Sequence, residues 1–202
     1  MFETLKKTIS QLKAVEISSE RKLVLQPLID IIQSKKDQNQ TIRLNFICTH
    51  NSRRSHLSQI WAQTLAYYFN IPNIYCYSGG TEATALFPKV AETLRNQGFQ
   101  VYKIAEGINP IYAIQYSINE QAIIGFSKKY NDDFNPQNDF VAIMTCDNAD
   151  EGCPIVVGAI ERIPIKYTDP KQFDNTTMMD EKYIEKSMEI ASELYYVMSL
   201  IQ

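Results

Sequence analysis

The sequence is poor in glycine, histidine and cysteine, and each shortage excludes a class of site. Its 202 residues include seven glycines, two histidines and four cysteines. The glycine-rich patterns GxGxxG and GxxxxGK[ST] are absent, which argues against the common nucleotide-binding loops. His50 and His56 are too few to build a histidine-based zinc site, and four cysteines are too few for a disulfide scaffold at this length. We therefore expect no metal and no cofactor.

Charge and hydropathy exclude two further kinds of partner. No apolar run approaches the roughly 20 residues of a membrane helix, so we expect no membrane partner. The 20 Lys and Arg residues against 23 Asp and Glu residues give a net charge of -3, so no overall basic field attracts nucleic acid. The start, MFETLKKTISQL, has charges where a signal peptide is apolar. We expect a cytoplasmic protein with reduced thiols, in which cysteines are catalytic, metal-binding or simply buried.

The first 40 residues have the pattern of two amphipathic helices. Leu5, Ile9 and Leu12 recur at helical spacing, and Ser18 or Ser19 can cap a second apolar run. The polar stretch 34–40 then predicts a linker or loop. We predict a helical extension over residues 1–40 and a main domain over 41–202. A cap that adds buried area is favoured over a partner-binding arm, although the sequence does not decide between them.

From Thr41 onward, strand and helix patterns alternate. Strands are predicted at 42–47, 73–78, 139–145 and 163–167, helices at 55–69, 88–97 and 180–201, and a hairpin from 112–116 and 122–126. This alternation predicts an α/β fold with a parallel sheet and right-handed crossovers. Functional sites of such sheets lie at the carboxyl ends of the strands.

A candidate oxyanion loop follows the first predicted strand. It reads Cys48-Thr49-His50-Asn51-Ser52-Arg53-Arg54-Ser55, which is a C-x5-R-S pattern between a strand and a helix. A helix N-terminus offers unpaired N–H groups and a positive dipole end, which bind a phosphate-like oxyanion. The same field stabilises a thiolate, which makes Cys48 a candidate nucleophile. The backbone of residues 49–53 would cradle the anion.

The side chains of this loop also suit oxyanion chemistry. Arg54 can grip two oxygens with its planar fork, and Arg53 adds positive charge. Ser55 can donate a hydrogen bond to the sulfur of Cys48, and Asn51 suits a left-handed backbone position. The alternative is a buried cysteine followed by two solvated arginines. Arginines in a first helical turn oppose the dipole, however, so an anion nearby is favoured.

Two more cysteines and an aspartate follow later strands. Cys146 ends the third predicted strand, and an acidic loop separates it from Cys153, so the pair suggests a thiol relay beside Cys48. Two buried residues or a metal pair are the alternatives, although a seven-residue spacing with no nearby histidine suits a metal poorly. Asp169, held by Pro170, is a candidate general acid, or merely a turn residue. We predict that Cys76, inside the second strand, is structural.

These motifs resemble the low-molecular-weight protein tyrosine phosphatase superfamily, and within it the thioredoxin-coupled arsenate reductases. The resemblance runs from about Ile42 to the C-terminal helix and rests on the Cys48–Ser55 loop, on residues 78–82 (Ser-Gly-Gly-Thr-Glu), and on Asp169-Pro170. The pair Cys146 and Cys153, with Pro154, is similar to the reductase branch. The resemblance implies a three-layer α/β fold with a central four-stranded parallel sheet and helices on both faces.

The resemblance also implies roles for these residues. Cys48 would attack the oxyanion, Arg54 and the loop amides would bind it, and Asp169 would be the general acid. Cys146 would attack the Cys48–arsenic adduct and release arsenite, Cys153 would take over the disulfide, and thioredoxin or a similar thiol reductant would reduce it. Lys171-Gln172-Phe173 lacks the adjacent aromatic pair of typical tyrosine phosphatases, which favours the reductase.

Three functional hypotheses follow. The first is arsenate reduction, since a relay uses Cys146 and Cys153 while a phosphatase needs neither. The second is hydrolysis of phosphate monoesters through a Cys48 phosphoenzyme. The third is a module that binds an oxyanion or senses oxidant without turnover.

Overall fold

The computed structural model describes residues 1–153 and 155–202. Pro154, part of the predicted relay loop, lies outside the described residues. The helices are α1 (Glu3–Leu12), α2 (Ser19–Asp37), α3 (Arg54–Tyr68), α4 (Pro88–Asn96), α5 (Asp147–Gly152) and α6 (Met179–Ser199). The strands are β1 (Ile42–Cys48), β2 (Ile74–Gly80), β3 (Gln100–Ala105), β4 (Ile111–Gln115), β5 (Ile123–Gly125), β6 (Phe140–Met144) and β7 (Ala159–Pro164). No helix in these ranges has the length and apolar character of a membrane span.

The central sheet is four-stranded and parallel, with the order β2-β1-β6-β7. The central strands β1 and β6 are buried along almost their whole length, as expected for a parallel sheet covered on both faces. Their carboxyl ends bring Cys48 and the residues after Met144 to one edge, where the backbone N–H of Thr145 donates to Ile47 O at 2.7 Å. The predicted α/β fold class is confirmed.

Alternate residues of the central strands enter different hydrophobic clusters. Val141 and Ile143 of β6 belong to a large cluster that includes residues of α2, α3 and α6. Phe140, Ala142 and Met144 belong to a smaller cluster that includes Ala149 of α5. Because side chains alternate across a strand, these clusters lie on opposite faces of the sheet.

The two N-terminal helices form as predicted and share the large cluster. Leu5, Ile9 and Leu12 of α1 are fully or almost fully buried there. Ser18 caps α2 by accepting a hydrogen bond from Arg21 N at 3.2 Å. The predicted linker at 34–40 is wrong in its first half, because α2 continues to Asp37. Lys35 stabilises this extra turn through an ion pair with Asp139 at 2.9 Å.

The predicted hairpin is observed as β4 and β5, which pair antiparallel. Strand β3, which the sequence did not reveal, adds to it and gives a second, three-stranded sheet. The fourth strand of the central sheet is Ala159–Pro164 and not the predicted 163–167. The predicted acidic loop between Cys146 and Cys153 forms the short helix α5.

The outer edge of β2 is closed by side chains and by an adjoining segment. Gln63 of α3 donates to Ile74 O at 3.2 Å and accepts from Cys76 N at 2.9 Å, and Gln59 donates to Cys76 O at 3.0 Å. Further along, Asn135 donates to the carbonyl oxygen of Ser78 at 3.0 Å. A bridge to the backbone around residues 128–130 completes the edge at Gly80.

Candidate active site

The loop between β1 and α3 has its carbonyl groups occupied and its amide groups free. Thr81 N donates to Cys48 O at 3.0 Å, Glu82 N to Thr49 O at 2.8 Å, and Ser127 Oγ to the His50 carbonyl at 2.8 Å. Within the described chain, the backbone N–H groups of residues 49–53 have no hydrogen-bond acceptor. Unpaired backbone donors just before a helix N-terminus suit the binding of an oxyanion.

Gly80 allows the neighbouring strand to approach this loop closely. A Cβ at Gly80 would lie 2.3 Å from Glu82 O, 2.6 Å from Thr49 O and 2.7 Å from Asn51 N. Every other residue type would therefore displace the loop.

Asn51 and Ser55 orient the hydrogen bond to the Cys48 sulfur. Asn51 has a left-handed backbone, with φ of 44°, and its Nδ2 donates to Ser55 Oγ at 2.9 Å. Because the Ser55 hydroxyl accepts from Asn51, its own proton is available to Cys48 Sγ at 3.1 Å. All three residues are buried. The Ser55 hydroxyl thus holds the Cys48 sulfur at the start of the loop.

The Asn51 side chain also ties this loop to Lys128, which the sequence did not single out. Lys128 N donates to Asn51 Oδ1 at 2.9 Å. The Lys128 ammonium lies over the rings of Phe126 and Phe134, 4.5 and 5.4 Å from their centroids. Burial lowers the pKa of Lys128 to about 8. No local sequence pattern marks this lysine, because the folded chain creates its contact with Asn51.

Arg54 joins the oxyanion loop to Asp169. Its Nη2 donates to Asp169 Oδ2 at 2.5 Å and its Nη1 to the Tyr167 carbonyl at 2.9 Å, while its buried Nε has no partner among the described residues. These residues border a cavity of about 420 Å³ that is also lined by Cys146, Asp147, Asn148, Lys166 and Thr168. The Asp169 carboxyl group and the Arg54 guanidinium therefore meet beside the oxyanion loop.

Arg53 has a different set of partners from Arg54. Its Nε donates to Tyr183 OH and its Nη2 to Asp174 Oδ2, both at 2.5 Å, and its guanidinium lies 4.1 Å from the Phe87 ring centroid. This corrects the expectation that the Arg53 side chain adds charge at the oxyanion site, because the anion beside it is Asp174. Its backbone N–H remains one of the five free donors.

Thr49, His50 and Ser52 contribute to the loop mainly through their backbone. The His50 imidazole is 45% exposed and lies 3.5 Å from Glu82 Oε2. Ser52 is buried, and its carbonyl accepts from Phe87 N at 3.1 Å. The Thr49 hydroxyl is the exception, because it contacts Cys146 Sγ at 3.5 Å.

The four cysteines are free thiols in different surroundings. Cys48 and Cys146 are buried in the same small cluster, and the half-buried Cys153 contacts that cluster. Cys146 Sγ accepts from Ala149 N at 3.4 Å at the start of α5. Cys76 lies in β2, in the large cluster, and burial raises the pKa of its thiol. Cys48 and Cys146 thus lie in the small cluster at the oxyanion loop, Cys153 packs against that cluster, and Cys76 lies in the other one.

His56 is buried behind the loop with Nδ1 3.3 Å from Ser78 Oγ, and burial lowers its pKa well below the usual range. Among the described residues no group of three or more His, Cys, Asp or Glu side chains is placed to hold a metal ion.

Comparisons with known proteins identify the fold. No family model and no curated protein matches the sequence. A low molecular weight phosphotyrosine phosphatase from Vibrio cholerae O395 is similar in structure, with a TM-score of 0.53 and 12% identity over 78% of this chain and 94% of that chain. One from T. tengcongensis gives a TM-score of 0.51 and 13% identity over 76% and 95%.

An arsenate reductase in the phosphate binding state is similar as well. Its TM-score is 0.50, with 17% identity over 80% of this chain and 100% of that chain. The chain therefore has the fold of low-molecular-weight phosphatases and arsenate reductases, as the sequence resemblance predicted. About a fifth of the chain lies outside each of these alignments.

Proposed function

We propose that this chain is an arsenate reductase that uses Cys48 as nucleophile and Cys146 and Cys153 as a thiol relay. The observation that carries the proposal is the position of Cys146. Its sulfur lies 3.5 Å from the hydroxyl of Thr49, the neighbour of Cys48, and both cysteines are buried in one cluster. A phosphatase has no use for a second thiol at this place.

The first step is attack of the Cys48 thiolate on arsenate, which forms a sulfur–arsenic bond and expels one oxygen as water. Arg54 and the amides of residues 49–53 hold the remaining oxygens, and Ser55 donates to the sulfur. Asp169, once protonated and released from its ion pair with Arg54, supplies the proton that the leaving oxygen needs. Arsenic remains in the +5 state.

The second step transfers two electrons to arsenic. The Cys146 thiolate attacks the sulfur of Cys48, the sulfur–arsenic bond breaks, and arsenite leaves in the +3 state. Cys153 then attacks Cys146, which frees Cys48 as a thiolate and leaves a Cys146–Cys153 disulfide. A dithiol reductant of the thioredoxin class returns both cysteines to thiols.

Helix α5 must change conformation before the Cys146–Cys153 disulfide can form. Seven residues at helical rise separate Cys146 and Cys153 by ~10 Å, whereas a disulfide needs Cα atoms within about 7 Å. The helix must therefore unwind. Ion pairs of Asp150 with Arg162 and Lys166 oppose this, as does the hydrogen bond from Arg162 to the Cys153 carbonyl at 3.0 Å.

The test is thiol-coupled arsenate reduction and aryl-phosphate hydrolysis, measured on the wild type and on four Cys→Ser variants. Cys48→Ser is expected to abolish both activities. Cys146→Ser and Cys153→Ser should lose multiple-turnover reduction. Cys76→Ser is the matched control, since Cys76 is buried but lies outside the site. Reduction that survives the loss of Cys146 and Cys153 would contradict the relay.

Hydrolysis of phosphate monoesters is the second candidate, favoured by the Arg54–Asp169 contact, which supplies the anion grip and the acid that a phosphoenzyme reaction needs. Aryl-phosphate hydrolysis without arsenate turnover, insensitive to Cys146→Ser, would establish it. Phosphate binding without either turnover would instead indicate a binding or sensing module.

A further inference from the structure

The Arg21 side chain of the N-terminal helix α2 bonds to the segment that leads to the candidate acid. Arg21 Nε donates to Glu193 Oε1 at 2.5 Å, and its Nη2 donates to Glu193 Oε2 at 2.9 Å and to the Lys166 carbonyl at 3.1 Å. The guanidinium also lies 5.0 Å from the centroid of the Tyr167 ring. Arg21 thus links α2, α6 and residues 166–167.

Residues 166–169 position Arg54 and Asp169 at the cavity. The Tyr167 carbonyl accepts from Arg54, and Asp169, two residues further on, accepts from the same guanidinium. The segment lies beyond the end of β7, and the end of β6 holds it through two hydrogen bonds, from Ile165 N to Met144 O and from Tyr167 N to Thr145 O. Arg21 holds the intervening Lys166 carbonyl.

Lys166 also connects this segment to α5, the helix between the two relay cysteines. The side chain of Lys166 forms ion pairs with Asp147 at 3.0 Å and with Asp150 at 2.8 Å, both on α5. A displacement of Lys166 would therefore move the anchor of the helix that separates Cys146 from Cys153.

We infer that Arg21 is a positioning residue, which fixes the Lys166–Tyr167 backbone so that Arg54 and Asp169 face the oxyanion. The inference rests on the proposed function, because it assigns a purpose to the same site. The planar fork of arginine serves the two Glu193 oxygens and the Lys166 carbonyl at once, and a lysine ammonium lacks that geometry. Glu193 is buried and balances the charge.

The principal test compares Arg21→Lys with Lys22→Ala. Lys22 is the next residue of α2 and lies over the ring of Tyr196 on α6, at 5.5 Å from its centroid, so it reports loss of helix–helix contact alone. An ångström of misplacement at a reacting group costs up to about 100-fold in rate. We expect Arg21→Lys to lower kcat/KM for arsenate about tenfold, mainly in kcat, and to shift the acidic limb of the pH profile. Lys22→Ala should change neither.

Phosphate binding to the intact protein separates this inference from the proposed function. Calorimetry should give an affinity at least threefold weaker in Arg21→Lys than in the wild type. If the wild type reduces no arsenate but the affinity difference persists, the proposed function fails and the inference stands. If kcat/KM and phosphate affinity in Arg21→Lys equal those of Lys22→Ala, the inference is overturned.

Chemical rescue gives a readout that a structural role alone would not produce. Arg21→Ala leaves Glu193 and the Lys166 carbonyl without the guanidinium, and free guanidinium ion at low millimolar concentration should restore part of the lost kcat. Rescue absent in a folded Arg21→Ala protein would contradict the positioning role. If that variant does not fold, the Arg21→Lys comparison alone decides.

Discussion

Replacement of Asn51 tests whether the loop is held by its backbone conformation, by its side-chain bonds, or by both. Asn51→Ala removes the bonds to Ser55 Oγ and from Lys128 N, worth about 1 kcal/mol each, and leaves a buried N–H unpaired, which adds roughly 1 kcal/mol. The left-handed φ of 44° costs an alanine about 1 kcal/mol more. We expect a loss of about 4 kcal/mol in the free energy of unfolding. Glycine adopts the left-handed backbone without this cost, so Asn51→Gly should lose about 3 kcal/mol.

Asn39 provides the matched control. It has a similar φ of 51° but is exposed, and its side chain makes no hydrogen bond to the described residues. Asn39→Gly should be close to neutral and Asn39→Ala should cost about 1 kcal/mol. The difference between alanine and glycine should thus be alike at both sites, while the cost of glycine should be large only at Asn51.

The assay is urea unfolding followed by the fluorescence of Trp61, the single and fully buried tryptophan. The urea concentration at the midpoint of unfolding should fall in the Asn51 variants, while the slope of the free energy of unfolding against urea concentration stays constant. If Asn51→Gly unfolds within about 0.5 kcal/mol of the wild type, the side-chain network does not stabilise the loop. If Asn51→Ala equals Asn51→Gly, the argument from the left-handed backbone is refuted.

Three further predictions concern groups around the loop. Gly80→Ala should weaken phosphate binding at least tenfold by calorimetry, because its Cβ would clash with the Thr49 carbonyl; unchanged affinity would contradict the clash. Burial keeps His56 neutral in the folded state, so the free energy of unfolding should fall by about 1.4 kcal/mol per pH unit below about pH 6.5. His56→Gln should flatten this slope. Parallel stability curves for the wild type and the variant would contradict the prediction. Lys128 binds a proton more readily in the unfolded state, because burial lowers its pKa to about 8 in the folded state. Between pH 8 and 10.5 the free energy of unfolding of the wild type should therefore rise by up to ~3 kcal/mol relative to Lys128→Met, as measured by urea titration. A stability difference that does not change with pH would contradict the burial of this charge.

The elements that the sequence predicted well are those with local patterns. The apolar residues of β1 and the helical spacing of α3 predicted both elements to within one residue of their observed starts. Because the C-x5-R-S loop lies between them, its position followed directly. The α4 helix was predictable from Pro88 at its first turn and from Gly98 just beyond its end.

The errors occur where a distant partner decides the structure. In β3 only Val101 is buried, so the strand shows no alternation and depends on pairing with β4. The acidic sequence of α5 resembles a loop, but Cys146 Sγ caps it and acidic residues suit its first turn. The Arg53 side chain was expected to add charge at the oxyanion site, but it pairs with Asp174, which is 121 residues away in sequence.

The closed edge of β2 has a consequence for assembly. An edge strand with free N–H and C=O groups invites another chain to add a strand and begin aggregation. Here Gln59 and Gln63 occupy the positions that an added strand would take, and Asn135 extends this protection. These amides have no part in the proposed chemistry, yet they occupy the edge along which a second copy could pair with β2. Substituting both glutamines by alanine should therefore expose a strand edge and promote self-association, leaving the oxyanion loop intact.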